Sequence, residues 1–186
     1  MQLSNDRIIM GIDPGTNLMG YGLIRVVDKK PQILVSGVVD MKKITDPYIK
    51  LQKIFQRTLQ VIDEYHPDEL AIESQFFGKN VQSMLKLGRA QGVAISAALH
   101  RNIPIFEYAP KKIKLAITGT GLASKEQMAT ILQRFFKMKD FPQNSDETDA
   151  IAIAMCHFFQ GNNPLAKAKP TSWADFAKKN PDRIKK

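Results

Sequence analysis

Four carboxylates in this chain stand where carboxylates can do more than solvate a surface. Asp13 ends the apolar run RIIMGID just before a Pro-Gly turn, and Glu73 ends a second run, DELAIE. Asp146 and Asp149 lie three residues apart in SDETDAIAIA, a spacing that puts both on one face of a helix. The other sides of that helix are almost wholly apolar (Ile151, Ala154, Met155, Phe158), which predicts burial. Two charges at the start of a buried helix need a counter-ion or a hydrogen-bonding partner. Hard oxygen ligands of this kind suit Mg²⁺ or Mn²⁺. Four of them can hold two ions roughly 3.5–4 Å apart, the arrangement that serves in-line displacement at a phosphate. Singly, Asp13 also reads as a turn residue and Asp146 as a helix cap. Glu73 has no such simple reading, and the four together point to a metal site.

The elements that must carry these acids follow from periodicity. Residues 7–13, 20–27 and 32–40 read as strands, joined by a Pro-Gly turn and by a turn at Lys29–Lys30–Pro31, which makes an antiparallel meander. Residues 47–65 carry a helical stripe (Leu51, Ile54, Phe55, Thr58, Ile62, Tyr65) that Pro67 ends. A strand at 68–73 follows, then a helix at 81–100 rich in small residues, then a strand at 103–107. Ser124 and Gln127 form a capping-box pattern, and Asn144 and Glu147 repeat it for a last helix reaching about His157. These elements predict an α/β fold: a mixed five-stranded sheet, meander first and parallel strands after, with helices on both faces. If the strands ending in Asp13 and Glu73 are neighbours, both carboxylates leave the sheet at one edge. The folded unit is expected to span residues 1–160, with 161–186 a basic tail.

Charge is distributed unevenly. Residues 74–125 hold eight basic side chains (Lys79, Lys86, Arg89, Arg101, Lys111, Lys112, Lys114, Lys125) against Glu107 alone, within a chain of net charge +9. Such a block is expected to meet a polyanion, because displaced phosphate counterions favour binding; a solubilising surface is the other reading. Cys156 is the single cysteine, no apolar leader opens the chain, and no stretch nears the roughly 20 apolar residues of a membrane span, so the cytoplasm is the expected compartment.

At this point several long motifs coincide. GIDPGTNLMGYGLI, AIESQFF, KNVQSMLKLGRAQGVA, IFEYAPKKIK and SDETDAIAIA run in order from about Ile8 to Phe159. In order and spacing they resemble the RuvC family of crossover junction endodeoxyribonucleases. The resemblance implies a ribonuclease H-like fold and a homodimer acting on four-way DNA junctions beside the branch-migration proteins RuvA and RuvB. It implies that Asp13, Glu73, Asp146 and Asp149 are the metal-binding catalytic acids. It places Phe76 where the family presents an aromatic ring to bases near the junction centre, and matches Lys114 and Lys125 to phosphate-contacting positions. The helix at 81–100 matches the family's dimer contact.

The residues read by themselves agree. The basic block follows Glu73 directly, so Lys79, Lys86, Arg89, Lys111, Lys112, Lys114 and Lys125 are expected on the DNA side of the metal site. Phe76 and Phe77 offer a stacking platform for unpaired bases, with core packing the alternative for one of them. His157 reads as a core residue or as support for the acids. The expected reaction is Mg²⁺-dependent hydrolysis, two ions per site with Mn²⁺ able to substitute, in paired nicks leaving 5′-phosphates. An actin-like ATPase, suggested by DPGT, would need a duplicated domain and a second such loop, where the chain offers only Gly119-Thr120-Gly121. A non-catalytic junction binder would gain from losing the four acids.

Overall fold

The computed structural model describes residues 6–75, 80–139, 141–142 and 144–161, so Phe76, Phe77, Lys79 and the tail beyond Gly161 lie outside the described residues. The chain opens with β1 (Arg7–Asp13), β2 (Leu18–Val27) and β3 (Lys30–Asp40), paired antiparallel in sequence. The hairpin between β2 and β3 turns at Asp28 and Lys29, both with positive φ (50° and 62°), the backbone that tight two-residue hairpins require. The expected turn at Lys29–Pro31 is therefore corrected. Pro31 sits inside β3, tolerated there because β3 is an edge strand and need not donate outward.

Helix α1 (Pro47–Tyr65) then crosses the sheet. Asp46 caps it by accepting from the N–H groups of Tyr48 (2.7 Å) and Ile49 (3.1 Å), and left-handed His66 followed by Pro67 stops it. The crossover returns the chain as β4 (Glu69–Glu73), parallel to β1; α2 (Val81–His100) leads to β5 (Ile105–Tyr108), parallel to β4. The sheet order is β3-β2-β1-β4-β5. The β5 strand expected at 103–107 lies two residues later at its start, beyond Pro104, which has no N–H for the ladder.

Three helices close the fold: α3 (Pro110–Thr118), α4 (Lys125–Phe136) and α5 (Ser145–Gly161). Strand alternation feeds two apolar layers. Met10, Ile12, Leu70 and Ile72 pack with α1 and α2 on one face, while Ile9, Ile24 and Ala71 pack with α3, α4 and α5 on the other. The expected mixed sheet, covered on both faces, is the observed one. Helix α3 is not predicted by periodicity, because its nine residues bury only Ile113 and so show no stripe; Pro110 at its first turn and left-handed Gly119 at its end mark it instead.

Helix α5 lies unusually close to the sheet, and glycine is the reason. A Cβ on Gly11 would stand 2.0 Å from the carbonyl oxygen of Ala150, and one on Gly20 would stand 1.9 Å from that of Asp146. Gly20 pairs with Asp13 in the β1–β2 ladder. The bare backbone opposite Asp13 is thus what admits the first turn of α5.

Candidate active site

Asp13 and Glu73 are the terminal residues of neighbouring parallel strands, one step beyond the Ile12–Ile72 pair. Those isoleucines face α1 and α2, so alternation turns the two carboxylates toward the opposite face, where α5 lies. From α5, Asp149 arrives with only 8% of its surface exposed. Lys114 comes from α3 and Lys125 from the first position of α4. Asp13, Glu73, Asp149, Lys114 and Lys125, with Pro110, Ile113 and Met128, line one cleft of about 240 Å³. The Lys125 ammonium donates a hydrogen bond to Asp149 Oδ2.

Asp146, one turn earlier on α5, is not on the cleft wall. Its charge still reaches Asp13 and Asp149, raising the pKa of each. It is not the helix cap: Asn144 Oδ1 accepts from the Asp146 N–H at 2.9 Å. The capping box expected from Asn144 and Glu147 does not form, because the Glu147 carboxylate accepts from the Ser36 hydroxyl at 2.9 Å instead. The box at Ser124 and Gln127 does form, and fixes the start of the helix that carries Lys125.

Burial dominates the electrostatics. It pushes the Asp13 carboxyl up to about 8, with repulsion from Asp149 and Glu73 adding to it and Lys125 opposing. Glu73 is raised by burial and by Asp149, against the pull of Lys125 and Lys114. Asp149 is raised by burial in spite of its hydrogen bond from Lys125. Burial, more than mutual repulsion, thus raises all three carboxyls, and the two ammoniums only partly oppose it.

Among the described residues no group of three or more His, Cys, Asp or Glu side chains is arranged to hold a metal ion. Lys125 hydrogen-bonds Asp149 Oδ2, so a cation coordinated by that oxygen would compete with the ammonium for it. The chemistry of the donors nevertheless fits a hard divalent cation: three buried or half-buried carboxylates on one small cleft, with a fourth beside it.

Two supporting residues escape sequence reasoning. Gln91 of α2 is buried and donates to the Glu73 carbonyl oxygen at 3.2 Å and to Glu107 at 3.0 Å, pinning the backbone that presents Glu73. Its only signal is a polar side chain within the buried Ala90–Ala94–Ala98 stripe. Tyr108, at the end of β5, holds His157 through a 2.6 Å hydrogen bond to Nδ1, while His157 Nε2 meets Glu69 at 3.1 Å. His157 is thus a core residue of α5, bonded to no acid of the cleft. The remaining basic residues scatter: Lys112 lies over the Tyr108 ring at 4.9 Å, Lys111 packs along Gly121, and Lys86 and Arg89 line a different groove.

Gly20→Ala tests the seating of α5 on the sheet. The new methyl meets main chain that cannot rotate away, so a loss of at least about 1–3 kcal/mol is expected. Urea unfolding reads it directly, and a midpoint equal to that of the unsubstituted protein would show that α5 does not sit where described.

Residues 9–157 match the family model described as crossover junction endodeoxyribonuclease RuvC. The crossover junction endodeoxyribonuclease RuvC of Bacteroides fragilis is 54% identical over 187 residues, covering 100% of both chains. Among solved structures, Thermus thermophilus RuvC superposes with a TM-score of 0.76 at 32% identity, covering 83% of this chain and 95% of that one. The same protein in complex with Holliday junction substrate gives 0.77 at 31% identity, covering 83% and 94%.

Proposed function

The chain belongs to the RuvC family of crossover junction endodeoxyribonucleases, and on that premise we propose that Asp13, Glu73, Asp146 and Asp149 form its catalytic metal site and that it resolves four-way DNA junctions by paired nicks. The observation that carries the site assignment is the side-by-side ending of β1 and β4, which sets Asp13 and Glu73 in one cleft with Asp149, Lys114 and Lys125.

The family is metal-dependent, and for this chain we assign Mg²⁺, two ions per site, with Mn²⁺ able to replace it. Bound divalent ions would supply activation of the attacking water and stabilisation of the leaving oxygen. The protein's own groups do the rest. Lys114 and Lys125 present ammoniums to the non-bridging oxygens of the scissile phosphate, which holds phosphorus against the carboxylates. Asp13 must release its proton before its oxygens can serve as ligands. Water adds to phosphorus in line, the P–O3′ bond breaks, and the products carry a 5′-phosphate and a 3′-hydroxyl.

A homodimer gives the pairing of nicks, since two-fold symmetry sets two such clefts on a four-armed substrate. Its contact is assigned to α2, where Val81, Leu85, Gly88, Gly92 and Leu99 share one exposed face and nothing would meet a Cβ on either glycine. Phe76, outside the described residues, takes the role of the ring that meets bases at the junction centre. RuvA and RuvB are assigned as partners and the cytoplasm as compartment; no helix of the described residues is long and apolar enough to cross a membrane. The tail at 161–186 is assigned as a basic appendage to the nuclease domain.

Incubating the protein with a synthetic mobile four-way junction tests this reading. Nicked duplex products are expected with Mg²⁺ or Mn²⁺, binding without cleavage with Ca²⁺, and neither product nor nick in EDTA. Lys114→Ala should weaken binding and flatten its salt dependence by about 0.7–0.9 in log–log slope, one phosphate contact's worth. Robust cleavage in EDTA would overturn the metal assignment.

A further inference from the structure

A second groove opens on the α1–α2 side of the sheet and shares no lining residue with the acidic cleft. It has a volume of about 390 Å³ and is walled by the β1–β2 turn, the start of α1 and the N-terminal half of α2. That size lies within the roughly 300–1,000 Å³ typical of ligand pockets. The turn is the one that follows Asp13: Thr16 and Asn17, three and four residues on, form part of the groove's wall. Asn17 is fixed from both sides, its carbonyl oxygen accepting from the Met41 N–H at 2.8 Å and its side-chain oxygen from Lys50 Nζ at 2.7 Å.

Charge in this groove is one-sided. Lys50, Lys86 and Arg89 line it, and no Asp or Glu does. Neither the Lys86 nor the Arg89 side chain has an ion pair or hydrogen bond among the described residues. Tyr48 stands at the rim with 72% of its surface exposed, next to the apolar floor of Leu51 and Leu87. The N–H groups at the start of α1 are already taken by Asp46, so the attraction for an anion comes from the side chains.

We propose that this groove seats one nucleotide of the junction, its phosphate held by Lys86 and Arg89 with Lys50, and its base laid against Tyr48. The inference rests on the endonuclease reading, which requires a DNA strand to pass the acids that the same turn presents. Cations unopposed by any carboxylate suit a phosphate, and an exposed ring over an apolar floor suits the flat face of a base. The groove and the cleft lie on opposite faces of the sheet at the end where β1 delivers Asp13, so a strand crossing that end meets both, and the groove's occupant helps to fix which phosphate enters the cleft.

Junction binding by the full-length protein in Ca²⁺ buffer, measured across salt concentrations, tests it. Tyr48→Ala is expected to weaken affinity roughly tenfold while Tyr48→Phe binds normally, because stacking needs the ring and not the hydroxyl. Arg89→Ala should reduce the log–log salt slope by about 0.7–0.9. Lys30→Ala, on the far edge strand, is the charge-matched control and should change neither. If Tyr48→Ala and Arg89→Ala both bind with unchanged affinity and slope while Lys114→Ala weakens binding, the groove takes no nucleotide, though the nuclease reading stands. If the unsubstituted protein does not prefer a junction to linear duplex, the nuclease reading falls and this inference with it. Should Tyr48→Ala instead halve the molar mass seen by light scattering, the groove is a contact between copies and the proposal is overturned. Where Tyr48→Ala melts early, the Arg89→Ala slope decides alone.

Discussion

Asp149→Asn is expected to slow junction cleavage by at least about a hundredfold while leaving junction affinity unchanged or tighter. The substitution keeps the size of the side chain and removes one negative charge from a site where burial makes every charge count. In the folded protein Asp149 is nearly inaccessible, and Lys125 is its hydrogen-bond partner. Amide nitrogen and oxygen can replace a cap or a surface carboxylate with little effect, but they cannot supply the charge that stabilises a metal-assisted phosphoryl transfer. Affinity should hold because phosphate contacts come from the lysines, and losing an anion near the scissile phosphate lowers repulsion. Asp146→Asn is expected to act in the same sense, because it removes the fourth carboxylate proposed for the metal site. Thermal melting separates this outcome from misfolding. A variant that melts normally and cuts normally would return Asp149 to the status of a buried structural acid.

Asp13→Asn should abolish cleavage and yet stabilise the protein in chelator at alkaline pH. The sign follows from linkage. Asp13 titrates near 8 in the folded protein against an ordinary value of 3.8, so between those values the folded state holds a proton that the unfolded state has lost. Stability from this group therefore falls as pH rises from about 4 to about 8, by at most about 1.4 kcal/mol per unit. Glu73 and Asp149, also raised, push in the same direction. Asparagine removes the titration, so the gap in unfolding free energy between the variant and the unsubstituted protein should widen in favour of the variant from pH 6 to pH 8. Mn²⁺ should reverse the order, stabilising the unsubstituted protein most, with affinity rising as pH approaches 8 because coordination releases the Asp13 proton. Denaturant melts at several pH values, with EDTA and with Mn²⁺, measure both effects. Parallel melting curves from pH 5 to pH 9 would contradict them.

Most of the architecture is readable from local pattern, because the meander, the long amphipathic α1 and the apolar runs ending in Asp13 and Glu73 each declare themselves within ten or twenty residues. The neighbouring position of β1 and β4 is only conditional in the sequence; the crossover through α1 makes it real. What escapes is set by distant contacts. Gln91 looks like any helix glutamine until α2 lies against the end of β4. Asn144 and Glu147 match a capping box, but the Ser36 hydroxyl, 111 residues away in sequence, takes the glutamate. Helix α3 escapes because one buried isoleucine makes no stripe, and with it goes the reason that Lys114 reaches the cleft while Lys111 and Lys112 do not. Lys86 and Arg89 belong to the same basic block as Lys114, yet α2 carries them to a different groove.

The glycines beneath α5 bear on how this enzyme can change. A crowded contact between two side chains can be relieved from either partner, so a harmful substitution there often has a compensating one. At Gly11 and Gly20 the atoms in the way are carbonyl oxygens of Ala150 and Asp146, which every amino acid possesses. No substitution on α5 can remove them. A selection for restored junction cleavage starting from Gly20→Ala should therefore return true reversion to glycine and no suppressors within α5, whereas one starting from a truncated core residue such as Leu132→Ala should return many.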